Sequence, residues 1–139
     1  MSDPVVHEVP YRVRYGDTDK MGVMYYGNYM RLFEIARTEM LRATGIPYAH
    51  LEKMGYLLPV LEAHCSYLRP LLYDDAVTVE CTYTPELSPV LRIEYRILRS
   101  GETLAAGWTR HTFVSEDGFK PVKPPQPFLK AMGLWNNER

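Results

Sequence analysis

The stretch that decides the fold is Asn28-Tyr29-Met30-Arg31-Leu32-Phe33-Glu34-Ile35-Ala36-Arg37-Thr38-Glu39-Met40-Leu41-Arg42-Ala43-Thr44-Gly45. Tyr29, Leu32, Phe33, Ala36, Met40 and Ala43 recur at i, i+3, i+4, i+7, i+11 and i+14, which places them on one stripe of an α-helix. Asn28 stands where an N-cap belongs, because its side-chain oxygen can accept from an amide of the first turn. Gly45 suits the stop, and Pro47 follows it. The pattern predicts a helix of about four and a half turns, much the longest in the chain. A helix with one apolar stripe needs an apolar surface to lie against.

The rest of the sequence supplies that surface with a period of two. Upstream, Val9, Tyr11, Val13 and Tyr15 alternate with Arg12 and Arg14, so Val5 to Tyr15 reads as a strand, and Gly16 to Gly27 as a loop. Downstream, a short helix is expected over Tyr48 to Lys53, ending at Gly55. Leu57 to Leu68 reads as a long strand with a bulge expected near Pro59. Val77, Val79, Cys81 and Tyr83 alternate with polar neighbours, and Leu91, Ile93, Tyr95 and Ile97 alternate with Arg92, Glu94 and Arg96. Ser100-Gly101 is a turn, Glu102 to Val114 a strand, and Glu116-Asp117-Gly118 a further turn. The proline-rich tail from Pro121 to Pro127 is extended, and Phe128 to Leu134 adds a last helical turn or two. Such alternation marks a sheet buried on one face and wet on the other. The fold class is α+β: one long helix against a curled, antiparallel sheet of about five strands. No linker or repeat divides the chain, so residues 1–139 are expected to form one domain.

Composition narrows the function. The chain has 139 residues, 46% hydrophobic and 24% charged, which excludes a disordered, collagen-like or disulfide-scaffold chain. Sixteen basic against 17 acidic residues leave a net charge of −1, too little for a broad nucleic-acid footprint, though not for a small basic mouth around one phosphorylated ligand. The N-terminus lacks a basic start and an apolar run, so no signal peptide is expected. The longest apolar run, Tyr56 to Leu61, is too short to span a bilayer. Cys65 and Cys81 have no metal-ligand spacing and are expected as two buried thiols in adjacent strands; the expected compartment is the cytoplasm. Tyrosine is the unusual count, at 11. It combines apolar area with a hydrogen-bonding tip, which suits half-buried walls and wet interfaces.

The chemistry concentrates in Tyr15-Gly16-Asp17-Thr18-Asp19-Lys20-Met21-Gly22-Val23-Met24-Tyr25-Tyr26-Gly27-Asn28-Tyr29, between the first strand and the long helix. A helix N-terminus presents free N–H groups and a positive dipole end. A carboxylate beside it can serve as nucleophile or general base on an acyl group while the amides hold the oxyanion. The residues alone equally allow Asp17 and Asp19 to be turn and capping residues.

Asp17-Thr18-Asp19, Gly22, Tyr25-Tyr26, Asn28-Tyr29 and Phe33-Glu34-Ile35-Ala36-Arg37-Thr38-Glu39 resemble the signature of the hotdog-fold acyl-CoA thioesterases, near the 4-hydroxybenzoyl-CoA thioesterase family and its branch of Tol-Pal-associated acyl-CoA thioesterases. Tyr67-Leu68-Arg69-Pro70 with Asp74-Asp75 extends the resemblance, which covers about residues 8 to 130. It implies a hotdog fold and hydrolysis of a small or medium acyl-CoA to free acid and CoA. Asp19 would be the catalytic carboxylate, and the Tyr26 amide the oxyanion donor. The Tol-Pal branch often carries His where this chain has Tyr26, but a backbone N–H survives that change.

Tyr25, Gly27, Asn28 and Tyr29 are expected at the substrate, with His64 approaching across a subunit boundary; Asp17 is expected to orient the loop. Arg69, Arg92, Arg96, Arg110, Lys120 and Lys123 are candidates for the CoA phosphates. No metal and no separate cofactor is expected, since coenzyme A is part of the substrate. The expected partners are acyl-CoA and further copies of the chain, as a homodimer or homotetramer. A phosphoryl-transfer enzyme using Asp17-Thr18-Asp19 would need a parallel sheet, and a hotdog dehydratase would need a loop histidine that is absent here. A non-enzymatic acyl-CoA binding or scaffold protein on the same fold is the alternative.

Overall fold

A computed structural model describes residues 3–135. Strand β1 (Val5–Arg12) leads through two 3₁₀ turns, Tyr15–Asp17 and Tyr26–Asn28, into helix α1 (Tyr29–Ala43). Helix α2 (Tyr48–Lys53), strands β2 (Tyr56–Leu57), β3 (Val60–Tyr67), β4 (Ala76–Tyr83), β5 (Val90–Arg99), β6 (Glu102–Thr112) and β7 (Val114–Ser115), and helix α3 (Gln126–Ala131) follow. The main sheet has five strands in the order β1-β4-β5-β6-β3, and every pairing is antiparallel. The α+β class and the strand number agree with the sequence pattern, and the antiparallel sheet excludes the phosphoryl-transfer fold.

The helix lies on the inner face because the two periods meet there. Leu32, Phe33, Ala36 and Met40 are fully buried against Val77, Val79, Cys81, Leu91, Ile93 and Tyr95. Phe33 stacks on Tyr95, with ring centroids 4.3 Å apart and planes 7° apart. Gly107 of β6 permits this approach, since a Cβ there would collide with the Phe33 ring and the His64 carbonyl. The outer face keeps the charged partners of the alternation, with Arg92 on Glu94, Arg96 on Glu80 and Arg110 on Glu62.

Several boundaries differ from the periodicity, each for a local reason. The apolar stripe ends early: Ala43 is exposed and Leu41 is buried instead, where α1 meets the segment around Tyr48 and Leu58. Strand β1 stops at Arg12, and Tyr15 is exposed, because Asp17 captures the Arg14 amide and turns the chain. The strand expected over Leu57 to Leu68 is two strands. Pro59 has no N–H for a ladder, so β2 pairs with β7 while β3 pairs with β6, with a register shift between Val60 and Glu62. The strand expected to Val114 divides at the same level. Helix α3 starts at Gln126, two residues before the expected Phe128. The cysteines also differ: Cys65 is half-buried in β3, Cys81 is buried in β4, and β5 and β6 lie between those strands.

Candidate active site

The loop between β1 and α1 is organised by Asp17. Its Oδ2 accepts from the Tyr11 hydroxyl at 2.6 Å and from the Arg14 amide at 2.9 Å; its Oδ1 accepts from Arg31 at 2.7 Å. The Asp17 carbonyl accepts from the Tyr25 amide and the Asn28 side chain, both at 2.9 Å. One residue thus ties the strand, the loop and the helix together. Burial alone would raise the Asp17 pKa, but the Tyr11 hydroxyl, the Arg14 amide and the Arg31 guanidinium together hold it below the usual value. The carboxylate is saturated, so Asp17 is a support, and the Asp17–Asp19 pair does not converge on a shared ligand.

Asp19 faces the other way. Its Oδ1 accepts from the Met21 amide at 2.8 Å, and its backbone closes the turn through Val23 and Gly22. Its Oδ2 has no hydrogen-bond partner among the described residues. Asp19 lines a cavity of about 290 Å³ with Met21, Met24, Tyr26, Tyr29, Tyr67 and Arg69 among its walls.

The start of the helix opens on the same cavity. Asn28 occupies the N-cap position but makes no capping bond; its side chain is spent on the Asp17 carbonyl. The Tyr25 amide is used by Asp17 and the Asn28 amide by the Tyr25 carbonyl. Between them, the Tyr26 and Gly27 N–H groups find no acceptor among the described residues. Two adjacent, unused amides at a helix start form an oxygen-binding corner.

The expected site residues divide accordingly. Asp19, Tyr26 and Tyr29 line the cavity. Tyr25, Gly27 and Asn28 are not among its lining residues: the Tyr25 ring fills the space where a Cβ on Gly27 would sit, and its centroid is 4.8 Å from that of Tyr26. His64 is not brought to this cavity within one chain. It is exposed on the outer face of β3, stacked on Trp108 at 5.7 Å, with Arg92 on that ring at 4.5 Å. Of the six basic candidates, Arg69 alone lines the cavity, paired with Glu102 at 2.8 Å. Arg92, Arg96 and Arg110 are on the outer face, and Lys123 borders a separate apolar pocket beside α3.

Two contributions were not foreseen. Arg31, in the first turn of α1, is the cation that neutralises Asp17. Tyr67 brings the end of β3 to the helix start, its ring edge-on to Tyr29 at 4.7 Å and its hydroxyl on the Tyr26 carbonyl. Tyr67 lies in the segment that carried the resemblance, but nothing local to it signals a contact 41 residues back.

A carboxylate and a helix start lining one cavity, on a scaffold of one helix and a curled sheet, fit an acyl-transfer class of protein. Comparison with known proteins gives the family. Residues 13–132 match the thioesterase-like superfamily, and the chain belongs to it. Acyl-CoA thioesterase YbgC of Haemophilus influenzae is 30% identical over 123 residues, covering 88% of this chain and 90% of that protein. The crystal structure of the DHNA-CoA thioesterase from Staphylococcus aureus superposes with a TM-score of 0.87 at 30% identity, covering 92% of this chain and 89% of that one. The gentisyl-coenzyme A thioesterase BH1999 superposes with a TM-score of 0.81 at 25% identity, over 90% of this chain and 98% of that one. The chain is a thioester hydrolase of the hotdog fold.

Proposed function

We propose that this hydrolase cleaves the thioester of a small or medium acyl-CoA to free acid and CoA, with Asp19 as the working carboxylate and the Tyr26 amide as oxyanion donor. The observation that carries the reading is that Asp19, with one carboxylate oxygen unpartnered among the described residues, and Tyr26 line the same cavity. The thioester carbonyl oxygen points at the helix-start amides. Asp19 either attacks the carbonyl carbon or takes a proton from an attacking water. The C–S bond then breaks, the thiol of CoA leaves, and the acid is released. General-base help contributes roughly 10²–10⁴-fold, and one oxyanion donor about 3–4 kcal/mol.

Arg69 at the rim is the cation best placed for a CoA phosphate. The chain's protein partner is a second copy of itself. Strand β3 is a sheet edge with Val60, Leu61 and Tyr67 exposed, and Leu68 is exposed just beyond it. An uncovered apolar edge is a pairing surface. Pairing there would set the cavity, walled by Tyr67 and Leu68, at the boundary between copies. The test is thiol release from a panel of straight-chain, branched and aromatic acyl-CoAs. Release from at least one class supports the reading; binding without release by any of them would make the chain an acyl-CoA scaffold.

A further inference from the structure

The carbonyl of Tyr26 accepts from two directions: the Tyr29 amide inside the helix start, and the Tyr67 hydroxyl at 3.4 Å. That carbonyl belongs to the same planar peptide unit as the Gly27 N–H, which points the opposite way and is unpartnered among the described residues. We propose that Tyr67 is a positioning residue for thioester hydrolysis, holding the Tyr26–Gly27 peptide and with it the helix start that presents the Tyr26 N–H to the developing oxyanion. The proposal rests on the hydrolase reading above and extends it to residues outside the helix.

Tyr67 is built as a fixed pillar. Its ring stands edge-on to Tyr29, which is only 3% exposed and locked in the core, and edge-on to Tyr26 at 6.3 Å. Edge-to-face pairs of this kind hold rings at defined angles. The pillar rises from β3, so the sheet edge, and not the helix alone, sets the orientation of the peptide. Burial, with Cys65 nearby, holds the phenol above its usual pKa, so it remains a donor at neutral pH. A bond to a peptide carbonyl polarises the N–H at the other end of the unit by about 10–30%, so the Gly27 N–H reports the contact. The contact is long for O–H···O, as catalytic hydrogen bonds in unliganded sites often are before they tighten on the substrate. Glycine at 27 serves the same end. It leaves room for the Tyr25 ring beside the peptide.

Tyr67→Phe keeps the ring and removes only the hydroxyl. With the best acyl-CoA of the panel, its kcat is expected to fall about three- to tenfold, the scale of one net hydrogen bond, with KM and the melting temperature unchanged. In the ¹⁵N–¹H spectrum of the free protein, the Gly27 resonance is expected to move further than that of Tyr26. Tyr67→Leu, which also removes the ring, is expected to lower kcat more and to raise KM. A Tyr67→Phe variant with wild-type kcat overturns the proposal whatever its spectrum shows, and so does an unmoved Gly27 resonance. A wild-type protein that releases no thiol from any acyl-CoA overturns the hydrolase reading instead, and the Gly27 resonance then still reports whether the hydroxyl holds that peptide.

Discussion

Asp17 and Asp19 are two residues apart in sequence and opposite in environment. Asp17 is 6% exposed, accepts from three donors and carries a lowered pKa. Asp19 has a single donor on one oxygen, while the other has none among the described residues, and it lines a cavity. A carboxylate saturated with hydrogen bonds is a poor nucleophile and a poor base, because reaction must first break those bonds. On the proposed function, the same loop separates holding from reacting by giving two like side chains different surroundings. Substitution at a holding residue should register in stability, and substitution at a reacting group in rate.

The largest effect that would break this division is on the helix-start amides. Tyr26→Pro removes one N–H, and Tyr25 at φ −60°, ψ 132° is already in the extended region that a residue before proline prefers. Its kcat is expected to fall roughly 10²–10³-fold, the cost of one oxyanion donor, while Tyr26→Ala stays within a few-fold of wild type. Steady-state thiol release on both variants checks this. Equal losses would mean that the side chain matters and the amide does not.

A second holding group tests the stability side. His111 is fully buried, with Nε2 2.8 Å from the Thr109 hydroxyl and Nδ1 3.4 Å from the Leu58 carbonyl, and Thr109 meets the Tyr95 hydroxyl at 2.6 Å. Burial first, and the Arg37 charge second, push its pKa down to about 4, against hydrogen bonds with the Leu58 and Pro59 backbone. An unfolded histidine titrates near ~6.5. Between these values the unfolded chain binds a proton that the folded chain refuses, so stability is full above the window and is lost as pH falls through it. About 3 kcal/mol should disappear between pH 7 and pH 4, read as a falling urea midpoint. His111→Leu should flatten that slope.

The smaller stability effect is at Asp17 itself. Asp17→Asn should lower the unfolding free energy by about 1–3 kcal/mol, because Tyr11, Arg14 and Arg31 lose a charged acceptor. Arg31 is nearly half exposed, so water softens that loss. Urea denaturation at pH 7 measures it, and an unchanged midpoint would remove Asp17 from the holding class.

Much of this division was legible in the sequence, and some was not. The stripe from Tyr29 to Met40 and the alternation around Val79 and Ile93 are one-dimensional patterns with one good solution, a helix lying on a half-buried sheet. The Asp17-Thr18-Asp19 spacing with the helix start marked the chemical loop, and resemblance chose Asp19 over Asp17. Periodicity could not make that choice, because both aspartates suit a turn. Arg31 and Tyr67 were invisible for another reason: their roles come from β1, α1 and β3 meeting in space, at separations of 14 and 41 residues from their partners. The break at Pro59 was half legible. A proline announces the lost ladder bond, but only the β2–β7 pairing shows where the chain goes next. His64 reads as a plausible site residue in sequence, yet the parity of β3 turns it to the outer face beside Trp108.

The most direct measurement of the account is thiol release by Asp19→Asn, with thermal melting of the same sample. The substitution keeps the shape of the side chain and removes its charge. With Asp19 as the working carboxylate, kcat falls roughly 10²–10⁴-fold below wild type at an unchanged melting temperature. An Asp19→Asn protein that hydrolyses acyl-CoA at the wild-type rate would contradict that role.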